Sequence, residues 1–141
     1  MLKKVKGILV VVFVCIIMLI QASAIASASG GNGIFTLGRS ATSVATTGAK
    51  KTTTDSVLVS CTAATYESGS SMTSCKGIVQ GSNSLSSGYF AQTGSLTYTF
   101  SKGAAYRMIN YVKEYGYTYA RVYFAGSANA NTTFSFGWEY Y

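Results

Sequence analysis

The chain carries only four carboxylates, Asp55, Glu67, Glu114 and Glu139, and no histidine. A Ser-His-Asp relay cannot be built without an imidazole. Acid–base catalysis by a pair of carboxylates would need two of these four to converge in space. None stands beside another acid, and Glu114 follows Lys113 as a solvated charge pair would. The many serines sit in no Gly-x-Ser-x-Gly elbow and no Ser-x-x-Lys box. The glycines near Gly30 are not followed by a helical pattern, so they form no phosphate loop. The residue types therefore predict a protein that is not an enzyme and needs no cofactor.

Sulfur is the second source of chemistry. Cys15 lies inside an apolar run and reads as a small filler, which leaves Cys61 and Cys75. In an oxidising compartment they are expected to form one intramolecular disulfide across the turn-rich segment 62–74. Closing a loop of about fifteen residues stabilises by roughly 3 kcal/mol in the chain-entropy model. A pair of buried free thiols is the alternative reading. Two cysteines without further sulfur or nitrogen ligands cannot complete a tetrahedral site, so no metal is expected.

The third source is aromatic. In the segment 117–124, Ala120, Val122 and Phe124 alternate with Tyr117, Tyr119, Arg121 and Tyr123. A strand that must bury one face buries the Val/Phe side, because an unpaired guanidinium is costly to desolvate. Tyr117, Tyr119, Arg121 and Tyr123 then form an outward ladder with a step of about 7 Å. Tyrosine offers flat apolar area ending in a hydroxyl, which suits a sugar ring or a protein partner. The competing reading is that these rings cover a neighbouring strand.

The elements that must position these groups are mostly strands. Thr, Ser, Tyr, Val and Phe dominate after residue 33, with period-two alternation between Gly, Ser and Asn clusters. Strands are expected at 33–37, 40–46, 56–66, 73–80, 87–91, 95–101, 117–125 and 132–140. Phe134, Phe136, Trp138 and Tyr140 alternate with Thr133, Ser135, Gly137 and Glu139, so the last strand should line the core. Proline is absent, and turns must rely on Gly, Asn and Ser. The spacing of Ala105, Met108, Ile109 and Val112 at i, i+3, i+4 and i+7 predicts one short amphipathic helix over 104–115. Gly116 stands where a left-handed residue would close that helix. The fold class expected is mainly β: an antiparallel β-sandwich of about seven or eight strands with that helix crossing between strands. The last two strands are expected to be hairpin neighbours joined by the loop 125–131.

The N-terminus sets the compartment. Lys3, Lys4 and Lys6 precede an apolar run from Ile8 to Ile20, followed by small residues with cleavage sites ending at Ala24, Ala26 or Ala28. That order is a secretory signal peptide over 1–28, and an uncleaved anchor is the competing reading. Residues 29–33 read as a flexible Gly-rich leader, and 34–141 as a single β-sandwich domain. Without the three signal lysines, eight basic residues face four acids, leaving a charge of +4. A mild, dispersed excess of this kind favours anionic surfaces and gives no nucleic-acid footprint. The expected protein is secreted, with no stable membrane span after cleavage and a binding or structural role at the cell surface or matrix. Its expected partner is a cell-wall polymer, a glycan or a surface protein. A bacteriocin-like antagonist would share the same size, charge and export signal.

Overall fold

The computed structural model describes residues 29–38, 41–66, 74–94, 96–126 and 131–141, and the proposed signal segment 1–28 lies outside them. The chain is mainly β. Among the described residues ten strands form two antiparallel sheets: β1 Ser29–Leu37, β2 Ser43–Ala45, β3 Ala49–Lys50, β4 Val57–Tyr66, β5 Cys75–Ser82, β6 Phe90–Ala91, β7 Tyr98–Phe100, β8 Ala105–Met108, β9 Tyr119–Ala125 and β10 Thr132–Tyr140. One sheet has the order β1-β10-β4-β8. The other runs β2-β9-β5-β6, with β3 also pairing β9 and β7 also pairing β5.

Alternation decides what faces inward. On β10, Phe134, Phe136, Trp138 and Tyr140 are buried, as the sequence pattern requires. They meet the inward residues of the other sheet in one core, where Phe124 stacks on Phe136 with ring centroids 4.1 Å apart. Phe100 closes on both rings edge-on, at 5.7 and 5.5 Å. Gly77 makes room for that cluster, since a Cβ there would come within 2.8 Å of the Phe100 ring. The Tyr140 hydroxyl and Thr46 Oγ1 lie 2.7 Å apart, and Thr46 Oγ1 also accepts the Val122 amide. One threonine thus ties β10 to β9 across the two sheets. Burial pushes the Tyr140 phenol up to about 12.

Three sequence expectations are corrected. No helix occurs among the described residues. Ala105–Met108 is instead a strand paired with β4, with Val57 opposite Met108 and Val59 opposite Tyr106. Met108 and Val112 are fully buried, while Ala105 and Ile109, the other half of the helical pattern, are exposed. An isolated helix of about a dozen residues is marginal in water, and pairing with β4 satisfies the same backbone groups while burying Met108. Asn110 then turns the chain, accepting the Val112 amide on its side chain at 3.4 Å and donating to the Met108 carbonyl. Only the predicted terminus survives. Gly116 has φ +78°, Tyr117 N–H bonds the Val112 carbonyl and Gly116 N–H the Lys113 carbonyl, which is a Schellman closure on a single turn.

The second correction concerns Ser29–Gly33. The segment is the first half of β1, in continuous register with Phe136–Tyr140 of β10. Its glycines serve packing, because Gly31 and Gly33 face inward where a Cβ would press on the Trp138 and Phe35 rings. The third concerns the last hairpin. β9 and β10 lie in different sheets, and β10 pairs with β1 and β4 instead. Both strands carry apolar inner faces, and those faces can bury each other only from opposite layers.

Candidate functional site

Tyr119, Arg121 and Tyr123 do share the outward face of β9, and all three are half-buried, whereas Ala120, Val122 and Phe124 are fully buried. The face is not left open. After β5 the segment 83–89 folds back over it, tied by Ser82 Oγ donating to the Ser87 carbonyl and by Tyr89 Oη donating to the Leu85 carbonyl at 2.9 Å. The Tyr89 ring lies under the Arg121 guanidinium at 4.3 Å, and Arg121 Nε donates to Gln80 Oε1 at 2.8 Å. Gly48 is required beneath, since a Cβ there would stand 1.8 Å from the Tyr89 hydroxyl oxygen. Burial raises the Tyr89 phenol, partly offset by the Arg121 charge. Arg121 is thus engaged inside the protein.

The remaining ladder positions diverge. Tyr117 precedes the strand and leaves its line: it packs over Gly81 on the inner side and stacks on Phe90 with centroids 6.3 Å apart. Tyr123 lines a depression of about 500 Å³ with Ser43, Lys76 and Thr99. The structure therefore brings Tyr119, Arg121 and Tyr123 onto one face and separates Tyr117 from them.

A different aromatic surface is more exposed. Of the nine large apolar side chains that are exposed among the described residues, seven fall between Leu85 and Tyr115, so exposure is concentrated in one stretch of chain. That stretch carries the polypeptide from the β5 side of one sheet to β8 at the margin of the other. Its parts are cross-tied: Tyr111 N–H bonds the Gln92 carbonyl at 2.7 Å, and Ile109 N–H bonds Tyr98 Oη at 2.8 Å. Tyr98 packs on Tyr106 at 5.4 Å and Tyr111 on Tyr115 at 6.1 Å. Tyr106, Ile109, Tyr111 and Tyr115 thus stand on backbone fixed by hydrogen bonds, with Tyr115 67% exposed. Arg107 is exposed and Lys113 half-exposed within the same stretch. Reading 104–115 as a helix hid this surface. The available signal was density, since seven of the eleven tyrosines lie between Tyr98 and Tyr123.

Three of the four carboxylates, Asp55, Glu114 and Glu139, lie among the described residues. Asp55 accepts from Thr53 Oγ1 at 2.8 Å, and Glu139 accepts from the Tyr141 hydroxyl at 2.5 Å. Glu67 lies outside the described residues. Lys51 is almost fully buried, its ammonium held by the main-chain carbonyls of Asp55 and Tyr141. Desolvation lowers its pKa, and the Asp55 and Glu114 charges oppose that shift. Among the described residues no group of three His, Cys, Asp or Glu side chains could hold a metal ion.

The expected Cys61–Cys75 bridge is not formed in this structure: both are free, buried thiols. They stand on strands of opposite sheets and both face the core. Cys61 Sγ donates to the Ala63 carbonyl at 3.4 Å. Burial, with the neighbouring Cys61 adding to it, pushes the Cys75 thiol up to about 12.

These features define a small, mainly β protein of two antiparallel sheets with an exposed aromatic flank. Within that class the chain belongs to the family described as "Protein of unknown function (DUF2712)", whose model matches residues 24–139, from the small-residue tract nearly to the end of β10. No curated protein and no solved structure matches the chain.

Proposed function

We propose that the chain is an exported binding module, a β-sandwich scaffold released behind the 1–28 signal, that attaches to an anionic, sugar-containing polymer of the cell surface. The observation that carries this reading is the exposed Tyr106, Ile109, Tyr111 and Tyr115 surface on hydrogen-bonded backbone. Flat rings with a terminal hydroxyl stack on sugar faces. An excess of basic over acidic residues draws an anionic polymer from a distance, and Arg107 and Lys113 lie in the same stretch of chain as the rings. The ladder residues Tyr119 and Tyr123 are secondary contacts in this reading, since the 83–89 segment already covers the face around Arg121.

In the exported protein Cys61 and Cys75 oxidise to one inter-sheet disulfide by exchange with an external disulfide, which is released as two thiols. Intact mass under non-reducing conditions should then fall by two hydrogens.

Binding is tested by sedimenting the purified protein with isolated cell walls, before and after chemical removal of their anionic polymers. Retention should depend on those polymers and should be lost in the Tyr111→Ser, Tyr115→Ser double variant, with circular dichroism unchanged. Equal retention of variant and parent would overturn the proposal. Killing of indicator cells without retention on walls would replace it with an antagonistic role.

A further inference from the structure

Two sheets of this kind have four margins, and three of them are blunted. Around β9 the margin is broken into β2 and β3, of three and two residues, with Lys50 in β3. Around β5 it is broken into β6 and β7, of two and three residues. The margin beyond β4 is the four-residue β8, which carries Arg107. Short strands and inserted charges are the usual protection against edge-to-edge pairing. β1 has neither. It runs nine residues, Ser-Gly-Gly-Asn-Gly-Ile-Phe-Thr-Leu, without charge or proline, and among the described residues pairs on one side only, with β10. The register irregularity in its sheet falls between β10 and β4, leaving β1 in unbroken register.

The flank beside β1 is also incompletely sealed. Phe35 of β1, Val44 of β2 and Ala49 of β3 pack against the core yet remain only half-buried. On the outward side Ile34 is 73% exposed. An unprotected edge next to half-covered apolar side chains is the surface that another strand completes.

We propose that β1 pairs antiparallel with β1 of a second copy, joining the two four-stranded sheets into one of eight strands across a two-fold axis. The second copy is the occupant that the chemistry of the strand selects. A neutral strand is its own complement, and a two-fold about Gly33 sets inward residues against inward ones, with Phe35 beside Gly31 of the other copy and Ile34 beside Asn32. No like charges meet, because the rows joined are Gly30 with Glu139 on one copy and Thr36 with Thr133 on the other. One added strand pair buries less than a standard interface, so the dimer is weak and concentration-dependent.

The test is sedimentation equilibrium of the purified protein, processed as its host leaves it, up to about 1 mM, the scale on which weak pairing shows. A monomer–dimer equilibrium is expected, with amide protection rising with concentration at alternate residues of 29–37. Ile34→Lys with Thr36→Lys should weaken the dimer by at least about tenfold by setting like charges across the axis. Ile34→Thr, neutral and β-branched, should keep it, and all three proteins should share one circular dichroism spectrum. A monomer throughout the range overturns the proposal. So does a dimer indifferent to the two lysines, or protection that rises elsewhere.

Discussion

Two groups of tyrosines lie close in sequence and live differently. On the outer face of β9, Tyr119 and Tyr123 flank an arginine that is held by Gln80 and lies over Tyr89, under a segment that returns across the sheet. On the flank, Tyr111 and Tyr115 pack mainly on each other, and both are exposed. The residue type is the same, and neither group belongs to the buried core. What separates them is whether another part of the chain comes back to cover them, which no local pattern encodes.

The comparison has a floor in the core, where removing a ring must be far costlier than removing one on either outer surface. Phe136→Ala should destabilise by about 3–5 kcal/mol, because its ring meets Phe124, Phe100, Phe35 and Phe134 at once. Urea unfolding measures it, and a loss under about 1 kcal/mol would mean that the two sheets do not share this cluster.

Arg121→Ala should cost about 1–2 kcal/mol through the lost Gln80 bond and the lost contact over Tyr89. A neutral result would return the β9 face to the status of a free surface and remove the contrast drawn with the flank.

Alkaline titration separates buried phenol and thiol from exposed ones. The Tyr140 phenol rises from 10.0 to about 12 and the Cys75 thiol from 9.0 to about 12 on folding. The folded state therefore holds these protons to higher pH than the unfolded state does. The stability they contribute is whole below pH 9 and is lost as pH climbs to about 12. Tyr140→Phe should cost about 1 kcal/mol at neutral pH through the bond to Thr46 and should flatten the alkaline fall. In a protein with the Cys61–Cys75 bridge formed, the thiol part vanishes and the fall begins near the ordinary phenol value of 10.0. Equilibrium unfolding at stepped pH, with and without reductant, reads both effects.

The smallest effect belongs to the flank. Tyr111→Ser with Tyr115→Ser should change stability by no more than about 0.5 kcal/mol, the range of surface substitutions. A larger loss would show that these rings hold the 85–115 stretch to the sheets.

Much of this was legible in the residues themselves. Strict alternation from Phe134 to Tyr140 and from Ala120 to Phe124 settled which side chains enter the core, because a strand has only two faces. The need for a left-handed residue at Gly116 was equally local, since it follows from a chain reversal and glycine's missing Cβ. Tertiary structure decided the rest. Ala105–Met108 abandons a helical pattern because β4 offers an open edge that the sequence cannot show. Ser29–Gly33 becomes a strand because Trp138 and Phe35 need glycines to lie against. β9 and β10, adjacent along the chain, part into different sheets because their two apolar faces bury each other best from opposite sides. Each outcome depends on a partner distant in sequence, and local residue spacing carries no record of that partner.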